Sequence, residues 1–261
     1  MYFFYQPDWL NRQPPYAFQW DHFLFIGIIM LNAVGLCFLL HGKKEKTIKI
    51  VLISLWGFYI LIQIIYYCLV YGQSINFPDK YPFNIEIMLP LHSCLMFMYV
   101  FPFAIFVKNK LIKTAASNFL VVVNMIMGFI TLFVGCPPGG HSALSFFGFH
   151  TFIYHGIDVI VPLIMITTGF YDIRKKDIYC GLTLFGILAI TIWIFDAISG
   201  CDYFYFYDGH TFPVFSFISD NVPNIVWTLI VTSCYVITAF ATHFAVIGIK
   251  YLVNKRKLKE E

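Results

Sequence analysis

The sequence predicts an all-α polytopic membrane protein: seven transmembrane helices in a single integral domain over 1–261, N-terminus outside and C-terminus cytoplasmic. Three observations carry this. The chain is 59% hydrophobic and only 12% charged, whereas soluble domains carry about 25% charged residues, so too few charges exist to cover a water-facing surface. Seven apolar blocks are each long enough to cross a bilayer, which takes about 20 residues of helix. The basic residues alternate with those blocks so as to fall on one side.

The predicted spans run at about 22–41, 50–71, 84–107, 115–135, 148–171, 179–199 and 224–252. Their orientation follows from the connectors. Lys43, Lys44, Lys46 and Lys49 follow the first span; Lys108, Lys110 and Lys113 follow the third; Arg174, Lys175 and Lys176 follow the fifth. Lys250, Lys255, Arg256, Lys257 and Lys259 end the chain. Of the 17 basic residues only Arg12 and Lys80 lie on the other side. Basic connectors are cytoplasmic, and they share one side only if the span count is odd. The aromatic, Pro-bearing stretch from Met1 to Trp20 lacks the basic start and short apolar run of a cleavable signal. A multi-pass plasma-membrane protein is expected, with membrane lipid as environment or substrate. Nothing in the charge pattern points to nucleic acid.

The outer connectors differ in texture. Asp202-Tyr-Phe-Tyr-Phe-Tyr-Asp208 suits an aromatic belt at the membrane surface. Cys136-Pro-Pro-Gly-Gly140 is a turn that no helix continues. Cys136 and Cys201 are both placed outside, where a disulfide requires Cα atoms within about 7 Å. The remaining cysteines sit in apolar runs with no CxxC spacing.

Ionisable side chains inside a bilayer are costly and mark function or an interhelical clamp. The third span carries Glu86 and His92, followed by Cys94; the fifth carries His150, His155 and Asp158; the sixth Asp196; the seventh His243. At 100° per residue Thr151, His155, Asp158 and Pro162 share a stripe about 60° wide. His155 and Asp158, three apart, can touch, and a carboxylate beside an imidazole builds a general base. On helical rise, His92 lies ~12 Å from the outer end of its span, His155 ~10 Å and Asp158 ~15 Å. They share a level in the outer half, with Glu86 and Asp196 nearer the edge. A polar chamber open outward accounts for all five. His243, toward the inner end, reads as a satisfied or snorkelling histidine. His92 and Cys94, two apart, point about 160° apart on a continuous helix. Zinc is conceivable on residue types, from His92, His155 and a carboxylate. No HxxxH or HExxH spacing supports it, so no metal and no cofactor are expected.

Leu89-Pro-Leu-His-Ser-Cys94 resembles the LPLHLC segment of YwaF-type bacterial integral membrane proteins. Tyr154-His-Gly-Ile-Asp158 with Pro162 resembles that family's second histidine span, and Gly200-Cys-Asp-Tyr203 its G-x-N-Y element, with Asp196 at a family Asn. The resemblance covers about 84–252. That family is similar to the eukaryotic transmembrane protein 164 group of phospholipid acyltransferases, and more distantly to androgen-induced-gene lipid hydrolases. The resemblance implies a nucleophile and histidines buried among the helices, carried here onto His92 and His155. In the acyltransferase group a Cys directly precedes the first histidine; here that position is Leu91, and Cys94 lies one helical turn deeper. The expected roles are His155 as base oriented by Asp158, His92 as oxyanion stabiliser or second acid/base, Cys94 as nucleophile, and Glu86, Thr151 and Asp196 as substrate contacts. The alternatives are a transporter or proton-coupled carrier, marked by the same intramembrane His–Asp pair, and a non-catalytic membrane protein.

Overall fold

The computed structural model describes residues 20–79, 83–85, 89–133, 145–207 and 213–260, with side chains for all but 213–216 and those beyond 252. The described residues are helical and contain no strand. Six helices are long and apolar enough to cross a membrane: Trp20–Leu40 (α1), Glu45–Asn76 (α2), Lys110–Phe133 (α4), Phe146–Thr167 (α5), Asp177–Ser199 (α6) and the Asn224–Leu252 part of α8. Helix α8 itself continues to Glu260. Between α2 and α4 lies a shorter helix, Met96–Phe106 (α3), entered through a 3-10 turn at Ser93–Leu95. A short helix α7, Pro213–Asn221, precedes α8.

Burial sorts these helices into layers. Helices α4 and α5 are 67% and 72% buried over their apolar windows, against 22–28% for the other four spans. A helix that is apolar all round and buried is central; one apolar all round and exposed faces lipid. Helix α5 packs on α1, α2 and α4, while α4 packs also on α3, α6 and α8. The exposed apolar side chains of the outer helices, among them Leu31, Phe38, Leu61, Ile190, Ile198 and Ile237, form the lipid-facing surface.

The basic connectors meet at one end of the bundle. Lys49 sits over the Phe106 ring, Lys113 over the Phe170 ring, and Lys250 pairs with Asp172, which also faces Arg174. At the other end the His22 ring nitrogen Nε2 hydrogen-bonds the Leu132 carbonyl at 2.6 Å, Tyr203 donates to the Ile85 carbonyl at 2.9 Å, and the Trp227 indole donates to the Tyr205 carbonyl at 2.9 Å.

Two expectations are corrected. The third block is not one helix over 84–107. The Leu89 amide bonds the Ile85 carbonyl, then Leu89–His92 is irregular and the helical run begins at Ser93. Pro90 is the cause, because proline supplies no backbone N–H and biases the residue before it away from helix. His92 is therefore extended (φ −57, ψ 147), and helical angles between it, Leu91 and Cys94 do not apply. The aromatic loop after α6 is likewise not confined to the membrane surface. Tyr203, Phe204 and Phe206 are buried in the core against Phe185, Phe195 and Tyr235.

Candidate functional site

The site forms where the broken third segment meets α4 and α5. Two local features put it there. Helix α4 contains a π-helical turn at Leu120–Asn124, a wide turn that shifts the register of the side chains after it and recurs at functional sites. Its last residue, Asn124, is fully buried and donates from Nδ2 to the Cys94 carbonyl at 3.0 Å. One turn further, Gly128 lets α4 lie against α5. A Cβ there would stand 2.9 Å from the His155 carbonyl oxygen and 3.0 Å from Asp158 Cβ, closer than real Cβ contacts come.

Cys94, His155 and Asp158 are thereby brought together. Sγ, an imidazole nitrogen and a carboxylate oxygen all lie within 4.8 Å of one another. His155 Nδ1 is 3.7 Å from Asp158 Oδ2, an ion-pair distance and too long for a hydrogen bond. Asp158 is wholly buried, His155 is 2% exposed, and Cys94 is half-buried. Cys94 sits in the first turn of the α3 run, where backbone N–H groups have no helical partner. Ser93 and Thr131 flank its thiol.

A column of polar side chains continues outward between α2 and α5. Tyr59, Gln63 and Tyr66 lie at i, i+4 and i+7 on α2, which makes one face. Tyr66 stacks on His150 at 4.2 Å, Tyr59 faces Tyr154 at 6.2 Å, and Tyr154 lies 4.0 Å from the His155 ring. Tyr59 Oη, both amide atoms of Gln63, His150 Nε2, His155 Nδ1 and both Asp158 oxygens are buried without a hydrogen-bond partner among the described residues. Each such group costs roughly 1–3 kcal/mol, because buried polar atoms are ordinarily partnered by protein or ordered water.

The other sequence candidates fall in different places. His92 precedes the triad by two residues from Cys94, but its Nδ1 faces the Tyr203 carbonyl at 3.2 Å and its ring meets Tyr203 edge-on at 5.1 Å. The carbonyl can only accept, so Nδ1 carries the proton and Nε2 is the accepting nitrogen. Asp196 accepts the Tyr203 amide at 3.1 Å, so it holds the loop that holds His92. Thr151 donates within its own helix to the Phe147 carbonyl at 3.0 Å. His243 is buried at the inner end, where its Nδ1 meets the Asn118 amide at 3.1 Å. Glu86 and Cys136 lie outside the described residues; Cys201 is a buried free thiol. Residues that sequence reasoning missed are Tyr59, Gln63, Asn124 and Tyr203. The available signal was an uncharged amide inside an apolar run for Gln63 and Asn124, and the i, i+4, i+7 spacing around Gln63.

No curated protein and no solved structure matches the chain. The family model for the TMEM164 family matches residues 17–247, which takes in the Leu89–Cys94 break, the π-turn and both His155 and Asp158. The chain belongs to the TMEM164 family.

Proposed function

We propose that this protein is a membrane-embedded enzyme that transfers or hydrolyses a lipid acyl group through a thioester on Cys94. The observation that carries the reading is the convergence of Cys94, His155 and Asp158 within 4.8 Å, the combination of nucleophile, base and orienting carboxylate that covalent acyl chemistry uses. The resemblance to phospholipid acyltransferases points the same way.

The chemistry follows from the residues. The His155 imidazole takes the thiol proton as Cys94 sulfur attacks the acyl carbonyl carbon. The tetrahedral oxyanion is met by N–H donors at the start of the α3 run; His92, with Nδ1–H on the Tyr203 carbonyl, leaves Nε2 as an acceptor and serves as a second acid/base rather than as an oxyanion donor. The imidazolium then protonates the departing alcohol, leaving a thioester on Cys94. An acceptor hydroxyl or water, deprotonated by the same imidazole, releases the acyl group and restores the thiol. Asp158, buried beside His155 Nδ1, stabilises the imidazolium that exists between these steps. The 3.7 Å separation is a resting distance; catalytic hydrogen bonds shorten when substrate is bound.

The same reading places seven crossings in a plasma membrane, N-terminus outside. Its support is that Phe106, the last residue of α3, lies under Lys49 at the start of α2, so the segment entering through Ile85 and Pro90 descends the length of α2. Irregular backbone at membrane depth is tolerated where protein buries it. Asp196 and Thr151 serve the site indirectly in this reading, through Tyr203 and through the α5 face.

A carrier is the second reading, favoured by the column of unpartnered polar atoms at Tyr59, Gln63, His150 and Asp158, since intramembrane polar chains also conduct protons. The deciding experiment uses the full chain in lipid nanodiscs with a long-chain p-nitrophenyl ester, mapping acyl groups by mass spectrometry. An acyl thioester on Cys94, absent in Cys94→Ala and slowed ~10²–10⁴-fold in His155→Ala, is the expected result. Absence of acyl-Cys94 together with pH-gradient-driven uptake into proteoliposomes decides for the carrier.

A further inference from the structure

The three atoms that make a nucleophile and base also have the composition of a metal site. Cys, His and Asp each supply one ligand atom, and the three lie within 4.8 Å of one another. A tetrahedral ion with bonds of about 2.0 Å to nitrogen and oxygen and about 2.3 Å to sulfur separates its ligand atoms by roughly 3.3–3.6 Å. The His155–Asp158 separation of 3.7 Å is already within a few tenths of that. A second observation is independent of these distances. His155 Nδ1 and both Asp158 oxygens are buried with no hydrogen-bond partner among the described residues, although both side chains are almost wholly enclosed. Buried polar atoms are ordinarily partnered, and an unfilled ion site is one reason for an exception.

We propose that Cys94, His155 and Asp158 form a three-ligand site for a borderline-soft divalent cation of the zinc class, whose occupancy and a free Cys94 thiol exclude one another. The ligand set selects the ion: a thiolate and an imidazole favour zinc, whereas calcium and magnesium require oxygen donors. Binding displaces the Cys94 thiol proton to solvent and leaves sulfur, nitrogen and oxygen bonded to the ion. Three protein ligands leave a fourth position open, which is the arrangement of reactive rather than structural zinc sites. The backbone scaffold is fixed before any ion arrives, by Asn124 on the Cys94 carbonyl and by the Gly128 contact with α5. The proposal concerns the residues of the acyl reading but does not depend on acyl chemistry.

The test uses the purified full chain in nanodiscs. Zn²⁺ is titrated in competition with a chromogenic chelator, and Co²⁺ is used separately for its thiolate-to-metal charge-transfer band. The expected result is one Zn²⁺ per chain, with affinity falling more than ~100-fold in Cys94→Ala and in Asp158→Asn, beyond the ~10–100-fold that loss of an outer partner costs. The Co²⁺ band should vanish in Cys94→Ala, which keeps the other free thiols Cys37, Cys68, Cys180, Cys201 and Cys234. Zn²⁺ should also protect Cys94 from maleimide and raise the thermal midpoint of the wild type but not of Cys94→Ala. That last comparison stands even if Asp158→Asn fails to fold. No saturable binding, or binding and a Co²⁺ band unchanged in Cys94→Ala, overturns the proposal. Zinc binding with no acyl-Cys94 on the chelator-treated, metal-free chain upholds it and removes the thioester reading; acyl-Cys94 without zinc binding does the reverse.

Discussion

The Asn124 side-chain amide donates to the Cys94 carbonyl at 3.0 Å, so the π-turn of α4 and the first turn of the α3 run are held as one unit. The bond reaches across thirty residues of sequence and joins a fully buried amide to a half-buried residue. It sets where Cys94 stands relative to His155, because the preceding residues Pro90–His92 are not helical.

Removing that bond should loosen Cys94 without removing it. Asn124→Ala is expected to lower stability by about 1 kcal/mol, the scale of an interhelical hydrogen bond in a membrane. Maleimide should then react faster with Cys94, while acylation of Cys94 slows. Thermal unfolding in detergent and the two labelling rates, measured on one preparation, check this; parallel changes in both rates would count against a positioning role.

Two glycines separate effects on the site from effects on the fold. Gly128→Ala puts a methyl against the His155 carbonyl and Asp158 Cβ, so α4 must move off α5. Overpacking of this kind costs about 1–3 kcal/mol, and acylation of Cys94 should be lost with it. Gly181→Ala puts a methyl against Asn118 Oδ1 at the inner end. It should cost a similar amount while Cys94 acylation survives. Melting curves beside acyl labelling distinguish the two.

Gln63 has both amide atoms unpartnered at 1% exposure. Gln63→Leu keeps the shape and removes a desolvated amide worth about 1–3 kcal/mol. The variant should melt higher than wild type and acylate Cys94 more slowly. A gain in stability with undiminished acylation would make the polar column idle.

Orientation can be read from outside intact cells. A single cysteine placed at position 45 or 110 in a cysteine-depleted chain should be protected from impermeant maleimide, and one placed near position 140 should be labelled. The reverse pattern would invert the bundle and put the basic connectors outside.

Much of the bundle was legible because apolar run length is a direct record of bilayer thickness. The ends of α1, α6 and the apolar part of α8 fall within two residues of the expected 22–41, 179–199 and 224–252. The break in the third block was not, since hydropathy treats Pro90 as one more uncharged residue while the backbone treats it as a missing donor. In the site, the His155–Asp158 adjacency was legible as i, i+3 on one helix. The meeting with Cys94 was not, because it depends on the π-turn and on Gly128, and neither leaves a periodic trace. That is also why no ligand spacing could announce the metal geometry. His92 and Asp196 were found as residue types, yet their partner is Tyr203, whose inward fold an aromatic-rich loop does not advertise.

The shortness of α3 bears on how the protein is made. Eleven residues, Met96–Phe106, span about 16 Å, roughly half the hydrocarbon thickness. Such a segment is a poor independent substrate for the insertion machinery, which reads apolar length. It must be drawn into the bilayer with α2 ahead of it and α4 behind. Cys94 is therefore synthesised and inserted some sixty residues before His155 emerges from the ribosome, and for that interval its thiol has no imidazole beside it. A nascent chain arrested before Phe146 should carry a Cys94 that oxidants and alkylating agents find readily, and completion of α5 is the event that shelters it.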